Sequence, residues 1–97
     1  MNTKKLLYAF LREIESAKGK GFELTGEDLG VSEAEFYDII RLAHREHYVT
    51  NVMYADDRPY FYKFIELTIK GIEFLEQNGL WAKAYRSLKE ARDWVKL

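Results

Sequence analysis

Along the chain, apolar side chains recur first at helical spacing, then in alternation, then at helical spacing again, and these changes of period mark out the elements. Leu6, Leu7, Phe10, Leu11 and Ile14 stand three and four residues apart, with Lys5, Arg12, Glu13 and Glu15 off the stripe. The pattern predicts an amphipathic helix over 3–17. Gly19 and Gly21, set among lysines, end it and form a connector.

Two helix starts follow in close succession. Thr25 is placed to cap a short helix with Asp28 three residues on, and Leu24 ahead of the cap is placed to pack on Leu29. Ser32 repeats the device with Glu35, Val31 is positioned to staple onto Phe36, and Gly30 between them supplies the turn. The second helix, over about 33–47, buries Phe36, Ile39, Ile40 and Ala43 and shows Ala34, Tyr37, Asp38, Arg41 and Arg45 on its other face. Segments 48–54 and 60–67 are rich in Tyr, Val, Phe and Ile and flank the turn-prone Ala55-Asp56-Asp57-Arg58-Pro59, which predicts a β-hairpin. Thr68 can cap a further helix over 69–77, with Ile72, Phe74 and Leu75 apolar, and Asn78-Gly79 ends it. A last helix over 80–95 carries Ala84, Leu88, Ala91 and Val95 on one stripe, bordered by Trp81 and Tyr85.

A short helix, a glycine turn and a longer helix form a helix-turn-helix, and a hairpin directly after it is a wing. The expected fold is therefore α+β and mainly helical: a winged helix-turn-helix of three helices, a β-hairpin wing and two C-terminal helices. At 97 residues the chain is expected to hold one core, a single winged-helix domain over 1–97.

Composition sharpens this picture. Apolar residues make up 47% of the chain and aromatics 15%, the profile of a packed protein in which rings carry much of the core. No cysteine is present, which excludes a disulfide framework and a thiolate zinc site. The apolar run at 6–11 is cut short by Arg12 and Glu13, and no stretch could span a bilayer, so a cytoplasmic location without membrane contact is expected. Net charge is -1, which gives no overall attraction to a polyanion. Its distribution is lopsided: residues 22–40 hold six acidic residues and no basic one, whereas residues 1–20 and 80–97 each hold five basic against two acidic.

Three stretches of the chain, Lys4-Lys5-Leu6-Leu7-Tyr8 through Glu15, Leu24 through Val49, and Leu67-Thr68-Ile69-Lys70-Gly71-Ile72-Glu73-Phe74-Leu75-Glu76, together with 84–94, resemble the YjcQ family of small bacterial and prophage winged-helix proteins. The resemblance implies the fold and a bacterial or phage setting. It brings no catalytic residues, and the DNA binding it suggests follows from the fold alone.

Candidate chemistry is sparse. His44 and His47 stand three apart beside Glu46, but no third ligand has a metal-binding spacing, so both read as ordinary residues near a helix C-terminus. No nucleophile elbow, phosphate-binding loop or dinucleotide fingerprint occurs, and Asp56 and Asp57 read as solvated turn acids. The expectation is a non-catalytic protein with no cofactor, no metal and no small-molecule substrate.

Two binding readings remain. In the first, a regulatory module binds double-stranded DNA with Tyr37, Arg41 and Arg45 in the major groove and Arg58 and Lys63 on phosphates, against repulsion from Glu33, Glu35 and Asp38. In the second, the scaffold serves dimerisation or another protein without touching nucleic acid. Strict alternation sets Phe61, Ile65 and Leu67 on one face of the hairpin and Tyr60, Tyr62 and Phe64 on the other, so both faces need cover. Trp81, Tyr85 and Trp94 are further candidates for a self-association surface. Lys83, Arg86 and Lys89 form a basic stripe that suits either phosphate or an acidic helix-turn-helix of a second copy.

Overall fold

The first helix, α1 (Thr3–Ala17), has the predicted bounds, but it is buried far beyond one stripe: Leu6, Leu7, Tyr8, Ala9, Phe10 and Leu11 are all buried, as is Ile14. Six consecutive residues point in every direction around a helix of 3.6 residues per turn, so α1 is the central strut and not a surface helix. The computed structural model describes residues 3–17, 24–56 and 58–82. The predicted connector at Gly19 and Gly21 and the last helix beyond Ala82, with Tyr85, Trp94, Lys83, Arg86 and Lys89, lie outside the described residues.

Thr25 and Asp28 bond reciprocally as the sequence suggests. The Thr25 N–H donates to Asp28 Oδ2 at 2.9 Å, and the Asp28 N–H donates to Thr25 Oγ1 at 3.4 Å. What they start is a single 3-10 turn, Glu27–Leu29, and not the short α-helix expected. Gly30 ends it at once, with φ 73° and its N–H on the Glu27 carbonyl, a left-handed conformation that glycine adopts without strain. The turn still serves packing, because Leu29 is fully buried. The first helix of the expected helix-turn-helix is thus replaced by one 3-10 turn.

In α2 (Glu33–Arg45) the capping box is complete: Ser32 Oγ accepts the Glu35 N–H at 3.1 Å and Glu35 Oε1 accepts the Ser32 N–H at 3.3 Å. Phe36, Ile39, Ile40 and Ala43 are buried as the stripe requires. The helix stops two residues before the predicted end, because His47 turns left-handed at φ 64°.

The expected hairpin is split into a base and a tip. At the base β1 (Val49–Thr50) pairs with a later strand; at the tip β2 (Met53–Ala55) pairs with β3 (Arg58–Phe61); and β4 (Glu66–Leu67) is the partner of β1. Both ladders are antiparallel, with Val49 opposite Leu67 and Ala55 opposite Arg58. Between them Asn51 is left-handed at φ 67°, and residues 62–65 form a turn closed by the Ile65 N–H on the Tyr62 carbonyl. The Asn51 amide donates to the Phe64 carbonyl at 3.2 Å and holds the two irregularities together. This break overturns the expected alternation. Tyr62 and Ile65 both turn inward, Tyr62 half-buried with its ring 5.9 Å from Phe36, while Phe64 is 59% exposed. A residue inserted into a period of two reverses every face after it. The side chains of Tyr60 and Phe61 lie outside the described residues.

Thr68 caps α3 (Ile69–Gln77), as predicted, by accepting the Gly71 N–H at 3.1 Å. The same hydroxyl donates to the His47 carbonyl, and the Thr68 N–H donates to the Tyr48 carbonyl at 3.0 Å. Phe74 and Leu75 are buried, whereas Ile69 and Ile72 face outward. Asn78 closes the helix, and a 3-10 turn, Gly79–Trp81, brings Trp81 edge-on to Tyr8.

Gly71 lies so close to the end of α2 that a Cβ there would stand 2.3 Å from the Tyr48 carbonyl oxygen, whereas Gly79 has open space around it. Gly71→Ala is therefore expected to lower stability by about 2 kcal/mol or more, although alanine is the better helix former by ~1 kcal/mol. Gly79→Ala should be close to neutral. Denaturant melts of the two variants check both; equal stability of Gly71→Ala and the parent would show that this close approach does not constrain the fold.

Candidate functional site

The outward part of α2 meets the hairpin tip through one pair of rings. Tyr54, on β2, stacks on His44 with ring centroids 5.5 Å apart and planes 26° from parallel, and its hydroxyl lies 2.8 Å from His44 Nδ1. Partial burial raises the Tyr54 phenol above its usual value, and the nearby positive charge of Arg41 opposes that shift. Arg41, His44 and Tyr54 are thus neighbours. His44, which the sequence offered as a weak metal candidate, spends its Nδ1 on the tyrosine.

Arg41 also pairs with Asp38 at 2.7 Å, one turn back. Arg45 is exposed in the last turn, where the negative end of the helix dipole favours a cation. Arg58 is exposed on β3, opposite Ala55 and adjacent in the ladder to the Tyr54 and Pro59 pair. Lys63 is exposed on the 62–65 turn. Of the five residues expected to meet DNA, Arg41 lies beside the stacked pair, Arg45 stands one turn further along α2, and Arg58 is on the tip strand itself. Tyr37 stands apart from these: it is half-buried on the core, its ring 6.5 Å from Phe36.

The acids that argued against a phosphate partner are partly engaged within the chain. Glu35 is bound to Ser32 and Asp38 to Arg41, while Glu33 stays exposed at the start of the helix.

Of the residues expected on a self-association surface, Tyr62, Phe64 and Trp81 have described side chains, and their settings differ. Tyr62 turns onto the core. Trp81 is half-buried against Tyr8, with the Lys4 ammonium 5.7 Å from its ring centroid. Phe64 remains outward, and Met53, which the alternation did not single out, is 62% exposed. The signal missed was the pair formed by His44 and Tyr54; its members stand ten residues apart on different elements, and no local pattern joins them. Among the described residues no helix is long and apolar enough to cross a membrane.

Comparison with known proteins agrees with the resemblance carried by the sequence. The profile of the YjcQ protein family matches residues 8–94. A protein of Bacillus subtilis (strain 168), the uncharacterized protein YjcQ, is 45% identical over 97 residues, which is 99% of this chain and 100% of that one. The solution NMR structure of the YjcQ protein from Bacillus subtilis superposes with a TM-score of 0.67 at 43% identity, covering 78% of this chain and 95% of that one. With the profile, the full-length identity and the shared fold in agreement, the chain belongs to the YjcQ protein family.

Proposed function

We propose that the chain is a winged-helix module that acts by binding alone, and that its ligand is duplex DNA, met by the C-terminal half of α2 and the hairpin tip. The observation that carries this reading is the stacked pair of His44 and Tyr54. It holds a short two-stranded tip beside the half of α2 where Arg41 and Arg45 stand, with Arg58 on the tip itself. In a recognition helix with its wing, cations on both parts approach the same backbone, and the pairing of helix and tip supports that reading. The acidic first turn of α2 lies at the other end of the helix, so base contacts come from its last two turns. A regulatory role in a bacterial or prophage setting follows from this reading.

One observation favours the second reading, a protein partner. Met53 and Phe64 are more than half exposed on the hairpin, and a wing that touches only phosphate has no use for them.

Binding of the purified protein to a labelled random duplex across a salt series separates the two. Affinity should fall steeply with salt. Arg45→Glu and Arg58→Glu should each weaken binding and reduce the slope of log K against log salt by about 0.9 for each phosphate no longer neutralised. No binding at low salt would remove non-specific DNA affinity and transfer the proposal to a protein partner. A second expectation concerns the latch. Tyr54→Phe keeps the ring stack and should change stability by no more than about 1 kcal/mol, whereas Tyr54→Ala frees the tip and should lower DNA affinity several-fold in a protein whose circular dichroism is unchanged. Equal affinities of Tyr54→Ala and the parent would show that the tip does not contribute to binding.

A further inference from the structure

A groove of about 420 Å³ opens between the 3-10 turn, the start of α2 and the hairpin, lined chiefly by Glu27, Val31, Glu33, Phe36, Tyr37 and Tyr62. Three aromatic rings meet there. Phe36 is buried beneath, edge-on to Tyr62 at 5.9 Å and tilted against Tyr37 at 6.5 Å, and the two tyrosines are half-buried. No lysine or arginine among the described residues lines it.

Its two carboxylates differ from the other acids of this region. Asp28, Glu35 and Asp38 are bound to Thr25, Ser32 and Arg41. Glu27 and Glu33 are exposed, and among the described residues neither forms an ion pair. The Tyr62 phenol is held above its usual value by burial, and further by Tyr37 and Glu33, as befits a place where added negative charge is unwelcome. Ring faces carry the negative part of the aromatic quadrupole and attract organic cations, and carboxylates at the rim add to that field. The space accommodates a long side chain and exceeds what a bare ion needs. Among biological cations a guanidinium suits it best, because it is flat, stacks on aromatic faces and can donate two parallel hydrogen bonds to one carboxylate.

We infer that this groove receives an arginine side chain from a basic segment of a protein partner, between the rings of Tyr37 and Tyr62 and the carboxylates of Glu27 and Glu33. The inference goes beyond the DNA reading: phosphate is repelled here and attracted at the other end of α2, so the two ligands address different ends of one helix.

The test uses the full chain, isotopically labelled, titrated with an acetylated and amidated Gly-Arg-Gly-Arg-Gly peptide and with its twin in which citrulline replaces arginine. Citrulline keeps the shape and removes the charge. The expected result is a set of chemical-shift changes centred on residues 25–37 and on Tyr62, with affinity about tenfold weaker or more for the citrulline peptide. The double variant Glu27→Gln, Glu33→Gln should keep the parent's spectrum elsewhere and bind the arginine peptide about fivefold more weakly or worse. Absence of shifts in the groove at millimolar peptide, equal binding of the two peptides, or unchanged affinity of the double variant would each overturn the inference. Because none of these readouts involves DNA, their outcome is independent of the salt series.

Discussion

Where the segment just past α2 meets the first turn of α3 two stretches of backbone touch, with Gly71 against the Tyr48 carbonyl, and the hairpin base and α3 are tied together there. The last turn of α2 closes on itself, the N–H groups of Glu46, His47 and Tyr48 donating to the carbonyls of Leu42, His44 and Ala43. The carbonyls of His47 and Tyr48, just past the helix, are both taken by Thr68, through its hydroxyl and its N–H. The same hydroxyl accepts the Gly71 N–H and so caps α3. One threonine therefore ties the segment after α2 to the start of α3, and one glycine lets them come close enough to do so. The pairing of Val49 with Leu67 begins beside this joint, which anchors the hairpin base.

The hairpin is accordingly two structures in one. Its base contributes Val49 and Ile65 to the core around α1, whereas Met53, Tyr54 and Ala55 of β2 are all exposed. The tip is held at two points, by Pro59 of β3, which is fully buried, and by the stack of Tyr54 on His44. The interruption at Asn51 and 62–65 separates the base ladder from the tip ladder.

Electrostatics divides α2 in the other direction. Acids at its start and arginines at its end both complement the helix dipole, so the arrangement stabilises the helix before any function is considered. It also gives one helix two surfaces of opposite preference. A net charge near zero conceals this, and to the segregation of sign along the sequence the tertiary structure adds the neighbours of each end: aromatic rings and exposed carboxylates at the start, a stacked histidine and arginines at the end.

What the sequence by itself determined is what is decided within three or four residues. The Ser32 and Glu35 capping box, the Thr68 cap and the Asn78 stop follow from side chains bonding to nearby backbone, Gly30 from its freedom to turn left-handed, and the bounds of α1 from its apolar spacing. The family resemblance was legible for the same reason, since those local signals lie in the matching stretches. The burial of α1 on all sides, the single 3-10 turn where a short helix was expected, the reversal that sends Tyr62 inward and Phe64 outward, and the meeting of His44 with Tyr54 were decided by the tertiary structure alone. Each depends on groups far apart in sequence or on the space left by neighbouring elements, and a periodic pattern carries no information about which of two apolar faces finds a partner.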